Sequence, residues 1–190
     1  MKKPQALLFA LVSFSLLSLN SATLAGGQLY PKLYDATYEV KTPTGVSSMR
    51  SISDGKGHLR TEVNVGPSKM VTIMDYPGKT TYTLMEAQKM VIKNPIAQEY
   101  EGDLTPELAK KKNAEDLGFK EVLGHNCHGW KLKLPNGVSE HWVDEKAGIL
   151  VHSRTQAGNY ITENNLKSVN MNQPKADLFV VPAGYKPMNQ

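Results

Sequence analysis

The run His125-Asn126-Cys127-His128 is the densest group of chemically versatile side chains in this 190-residue sequence. Imidazole nitrogen and thiolate sulfur are good ligands for zinc or copper. The surrounding residues read as a strand, however, and alternate residues of a strand face opposite sides. His125 and Cys127 then share one face and His128 takes the other, which makes a partial site at best. His58, His141 or His152 would have to complete it. No C-x-x-C, H-E-x-x-H or C-x-x-C-H spacing occurs. His125, Cys127 and His128 are therefore weak metal candidates, and neither a metal nor another cofactor is expected. Cys127 is the only cysteine, so it forms no internal disulfide, and Cys127→Ser is expected to leave folding nearly intact.

Catalytic patterns are sparse. Glu140 and Asp144 flank His141, an arrangement common on exposed strands. The sequence carries no nucleophile elbow, no phosphate-cradling glycine loop and no metalloprotease motif. A non-enzymatic protein is expected.

Apolar side chains offer a different chemistry. Met49, Met70, Met74, Met85 and Met90 gather in one half of the chain. Methionine is flexible and polarizable, so such a set either fills irregular core gaps or lines a cavity that adapts to apolar ligands. His128, Trp130, Leu132 and Leu134 share one strand face, with His141 and Trp142 on the following strand. Two tryptophans near a hairpin suit either a pocket mouth or ordinary packing of a sheet against its cover.

The elements that must position these residues are mostly strands. In Leu33 to Thr42, Tyr34, Ala36, Tyr38 and Val40 alternate with Asp35, Thr37, Glu39 and Lys41, a period of two with one buried face. Val46 to Asp54 and His58 to Val65 follow. Lys69 to Asp75 is apolar on both sides through Met70, Val71, Ile73 and Met74, which predicts a strand lying centrally or covered on both faces. Thr80 to Met85 and Lys89 to Lys93 complete a first meander. Thr105-Pro106-Glu107 reads as a helix start, with Thr105 as N-cap, and Leu108 to Asp116 as about three turns ended by Gly118. Strands resume at Lys120 to Leu123, His125 to Leu134, Val138 to Asp144, Ile149 to Gln156 and Tyr160 to Met171. Asn136-Gly137 marks a hairpin. One helical turn is expected near Pro174 to Phe179.

The N-terminus places the protein. Lys2 and Lys3 precede an apolar run from Ala6 to Leu19, and small residues at Thr23 and Ala25 precede Gly26. This is the layout of a secretory signal peptide cleaved after Ala25. Residues 1–25 are read as that leader and 26–190 as a single domain in the periplasm or outside the cell. Glycine rather than cysteine after the cut predicts no lipid anchor. The whole chain carries +4, and two of its lysines lie in the leader. That small surplus gives no footprint for nucleic acid.

Three stretches resemble a secreted bacterial domain family of unknown function, similar in fold to the periplasmic lipoprotein carriers of the lipoprotein localisation factor type. They are Val71-Thr72-Ile73-Met74-Asp75 leading into Lys79-Thr80-Thr81-Tyr82-Thr83-Leu84, then Lys120-Glu121-Val122-Leu123-Gly124-His125-Asn126-Cys127 leading to Trp130, and Leu178-Phe179-Val180-Val181-Pro182-Ala183-Gly184-Tyr185. The resemblance implies an open sheet curled around an apolar cavity, with helices as a lid.

The expected fold is therefore α+β: a strongly curved antiparallel sheet, a half-open barrel of about 10–11 strands, with short helices as a cover. The expected role is non-catalytic binding or shuttling of a hydrophobic ligand: an acyl chain, a lipid or a lipidated partner. Its expected contacts are Tyr38, Val40, Val71, Ile73, Tyr82, Leu84, Trp130, Leu132 and Trp142. Partners would be a hydrophobic small molecule or lipidated protein, with at most transient membrane contact. The alternatives are an envelope protein–protein interaction module, and a metal- or redox-responsive module using Cys127 and nearby histidines.

Overall fold

The computed structural model describes residues 30–65, 68–96, 100 and 104–188. The leader expected over residues 1–25 lies outside the described residues.

The first meander comprises β1 (Leu33–Thr42), β2 (Gly45–Asp54), β3 (His58–Val65), β4 (Ser68–Asp75), β5 (Thr80–Met85) and β6 (Met90–Pro95). The second comprises β7 (Glu115–Val122), β8 (His125–Leu134), β9 (Gly137–Asp144), β10 (Ile149–Ala157) and β11 (Tyr160–Asn170). They join side by side, β1 against β11, into one open curved sheet of 12 strands whose last member is the short β12 (Lys186–Pro187). Every pairing is antiparallel except β12, which lies parallel on β6.

The alternation in β1 places Tyr34, Ala36 and Tyr38 in the core and leaves the intervening residues half-buried. The largest core cluster forms around the junction of the meanders. It includes Tyr34, Ala36, Tyr38, Met49, Ile149, Val151 and Leu166. The Tyr38 hydroxyl reaches across β11 and donates to the Leu150 carbonyl at 3.0 Å.

Helix content is small, so the α+β expectation holds only in part. The described residues contain one helix of six residues, α1 (Pro106–Lys111), and a 3-10 turn at Ala176–Phe179. Thr105 caps α1 as expected, its hydroxyl accepting the Leu108 N–H at 3.2 Å. The helix is shorter than the three turns expected because Asn113 adopts φ 53°, a left-handed stop. Glu115 already begins β7. Gly118, read from the sequence as the stop, instead sits with φ 72° where the β7–β8 register shifts.

Two local expectations are corrected. The β8–β9 hairpin forms, but Leu134 pairs with Gly137, so Pro135 and Asn136 make the turn. Glycine is needed at 137 because a Cβ there would run into the Gln156 carbonyl. Strand β4 is neither central nor covered alike on its two faces: Val71 and Ile73 are fully buried while Met70 is 41% exposed.

Candidate functional site: the methionine face of the sheet

Register fixes which side chains of the first meander share a face. Leu166 on β11 pairs with Tyr38, Tyr38 with Met49, Met49 with Val63, Val63 with Met70, Met70 with Met85, and Met85 with Met90. One row therefore runs across seven strands and is apolar throughout. Met74, opposite Leu59, lies on the same face. All five methionines noted in the sequence thus line one side. Met49 is buried at the junction, Met74, Met85 and Met90 are half-buried, and Met70 is exposed.

The opposite face is closed by the chain itself. Val71, Ile73 and Leu84 form a buried cluster packed against Tyr82, Val91, Val181 and Tyr185. The C-terminal segment is held there by polar anchors. Arg60 Nη1 donates to the Leu178 carbonyl at 2.9 Å, while Arg60 Nε donates to Glu62 at 2.6 Å. Lys69 adds an ion pair to Glu62 at 2.8 Å. Burial alone would raise the Glu62 carboxyl, but these two cations outweigh it and hold it below the ordinary carboxylate range. Beyond the turn, Lys186 N–H donates to the Lys89 carbonyl at 2.8 Å, and β12 covers the edge of β6.

The nine residues expected to touch a ligand are consequently brought together only in part, with Tyr38, Val40 and Trp142 belonging to one core cluster. Tyr38 and Val40 lie on the methionine face. Val71, Ile73, Tyr82 and Leu84 lie on the tail-covered face. Trp130 and Leu132 pack with Leu104 and Ala109 of the α1 segment, plus Val143 and Leu150. Trp142 faces the other way from Trp130: its ring lies 2.5 Å from where a Cβ on Gly129 would stand, and Lys120 Nζ sits 3.6 Å from the ring centroid.

The methionine face continues into the second meander. Val40 pairs with Asn164, Asn164 with Ser153, Ser153 with His141, and His141 with Trp130. This row adjoins the one through Tyr38 and Leu166. It is polar yet buried, with Asn164 at 2% exposure, Trp130 at 5% and His141 at 7%. Among the described residues, the buried side-chain atoms without a hydrogen-bond partner are Trp130 Nε1, His141 Nδ1 and Asn164 Oδ1, all from this row.

His141 and Ser139 lie close enough to be weighed as a catalytic pair, with an Nε2···Oγ separation of 2.8 Å. A serine nucleophile needs its histidine oriented by a third group at the other ring nitrogen. Here Nδ1 has no partner. Burial, helped by the charge of His152, pushes the imidazole down to about 4, which makes it a weak base. Ser139 Oγ is also engaged by Thr155 at 2.7 Å. The geometry gives a buried polar pair and no activated nucleophile.

The histidine–cysteine run does not converge into a ligand set. His125 Nδ1 donates to Asp144 at 2.9 Å. His128 lies between Phe119 and Trp130, with Nδ1 2.7 Å from Glu145 and Nε2 2.8 Å from Asp116. Cys127 is fully buried, and burial, followed by the Asp144 carboxylate, pushes its thiol up to about 11. Among the described residues no three His, Cys, Asp or Glu side chains are grouped so as to hold a metal ion.

The sequence pointed to Trp130 and His141 across one hairpin but not to the row they form with Ser153 and Asn164, because the four stand on different strands and meet only through register. Residues 38–150 match the family described as a domain of unknown function (DUF4412), and the chain belongs to that family. No curated protein matches the chain in sequence. The fold is similar to that of an uncharacterised conserved protein from Thermus thermophilus, at a TM-score of 0.65 and 10% identity, over 84% of this chain and 91% of that one. A chain in the MucA/MucB complex of Pseudomonas aeruginosa aligns at a TM-score of 0.51 and 15% identity, over 80% of this chain and 55% of its own length. A LolA superfamily protein from Nitrosomonas europaea aligns at 0.39 and 7% identity, over 78% and 90%.

Proposed function

We propose that this chain is a non-catalytic binding protein, exported from the cytoplasm, that takes up an acyl chain or the lipidated end of a partner on the methionine face of its sheet. One observation carries the reading: five methionines from four strands share a face that stays partly exposed, while the opposite face is sealed by the C-terminal segment. An ordinary core residue would not leave Met70 at 41% exposure on a strand that buries Val71 and Ile73 completely on its other face. Unbranched thioether side chains can repack around chains of different length. Each methylene moved from water onto such a surface contributes about 0.8 kcal/mol. Binding therefore needs no strong polar contact, and release needs no chemistry. The α1 segment covers Trp130 and Leu132 through Leu104 and Ala109, and it would move aside when a ligand enters.

The test is a titration with an apolar fluorescent probe followed by displacement with a fatty acid. Saturable binding at about one site is expected, weakened severalfold or more by Met70→Glu. Because Met70 is exposed, that variant should retain its circular dichroism spectrum. A well-folded wild type with no saturable binding of any acyl ligand would replace this reading with that of an envelope interaction module. The exposed edge strand β7 would then be its natural docking element.

A further inference from the structure

Three buried polar atoms stand without partners on one row of the sheet: Trp130 Nε1, His141 Nδ1 and Asn164 Oδ1. Such atoms are costly unless something pairs with them, and in native proteins that something is a ligand or ordered water. The amide of Asn164 is already oriented, since its Nδ2 donates to Ser153 Oγ at 2.9 Å and Oδ1 is left buried without a partner. On the indole, only the N–H is available, and it can only donate. The row adjoins the apolar row through Leu166, Tyr38 and Met49, so one continuous face is polar at one end and methionine-lined at the other.

The charge of this end is equally informative. The next row outward, Leu132, Ser139, Thr155 and Thr162, carries no ionisable group. Farther along the same face of β8, His128 is held between the carboxylates of Asp116 and Glu145. No lysine or arginine belongs to the row or to its outward neighbour. Neither row of the sheet would offer a carboxylate or phosphate head a lysine or arginine, and Asn164 Oδ1 would meet no donor.

We propose that this row holds the head of the bound acyl ligand, and that the head is uncharged and carries both an N–H or O–H donor and a carbonyl or hydroxyl acceptor. An amide or a glycerol hydroxyl has this chemistry. The ligand's acceptor takes the Trp130 N–H, and its donor serves Asn164 Oδ1. The proposal rests on the acyl-binding reading above and specifies which acyl compounds that site prefers.

Calorimetric titration of the delipidated protein with four dodecyl compounds tests it: the primary amide, the monoglyceride, the carboxylate and the trimethylammonium salt. The amide or the monoglyceride should bind at least tenfold more tightly than both charged compounds, and which of the two leads identifies the head. Trp130→Phe removes the donor and keeps a ring, and Asn164→Leu removes the acceptor. Each should erase most of that preference while leaving the affinity for the charged compounds within about twofold. Should Asn164→Leu fail to fold, Trp130→Phe alone decides. Equal affinity for all four heads, or a preference unchanged in Trp130→Phe, overturns the proposal and assigns the row to ordered water, with the acyl-binding reading intact. No binding of any of the four overturns both.

Discussion

At the scale of single residues, burial decides what the chemically versatile groups can do. His141 illustrates the sign. Its imidazole titrates at about 4 in the fold against an ordinary value of 6.5. Between those values the unfolded chain binds a proton that the folded chain does not, so stability rises with pH across the window and falls as pH drops from 6.5 toward 4. The loss amounts to about 3 kcal/mol in all. Urea unfolding at a series of pH values should show this slope in the wild type and a much flatter one in His141→Phe; equal slopes would contradict the assignment. Cys127 shows how burial escaped the sequence. Its strand face also carries Lys131 and Lys133, a pattern that suits an exposed strand face, yet Cys127 is fully enclosed in the cluster that holds Trp142 and Ile149. The expectation that Cys127→Ser is nearly neutral is therefore revised: a buried hydroxyl in this setting should cost about 1–3 kcal/mol. Equilibrium unfolding of the variant measures it. The native thiol should also resist alkylation until the protein unfolds.

At the scale of elements, period-two alternation was enough to place nearly every strand, because one face of each is buried and register slips are then costly. The boundaries of β1 and β8 coincide with those read from alternation alone. Turn chemistry was less legible. The β7–β8 hairpin turns at Leu123-Gly124, both with positive φ, 51° and 81°. Leucine is a poor residue for that conformation, and its side chain is 56% exposed, so it gains little from packing. Leu123→Asn should raise stability by up to about 1 kcal/mol, seen as a higher unfolding midpoint at unchanged m-value. A lower midpoint would mean that Leu123 makes contacts this geometry does not account for. Helix α1 was recognisable at its start, through Thr105 and Pro106, but its end was set by Asn113 in a left-handed conformation, a weaker signal than the glycine farther on.

At the scale of the whole molecule, the sheet has two faces with different fates, and that division could not be read from composition. The five methionines were visible in the sequence, but their common face depends on the cumulative register of four successive hairpins. Likewise, the sequence shows Val71 and Ile73 as apolar without showing that the C-terminal segment returns to cover them. A pair of substitutions on β4 separates the faces. Ile73→Ala should cost about 2–5 kcal/mol of stability as a cavity under the tail, with little change in ligand affinity per folded molecule. Met70→Ala should cost well under that and weaken acyl binding; a reversal of the two outcomes would show that the faces have been assigned the wrong way round. The central claim, that the methionine face holds an acyl ligand, is tested most directly by mass spectrometry of the organic extract from natively purified protein. The account predicts an acyl compound near one equivalent per chain, depleted in Met70→Glu purified in the same way. An extract that carries no acyl compound above that of an unrelated exported protein, from wild-type protein that also fails to bind added acyl chains, would contradict it.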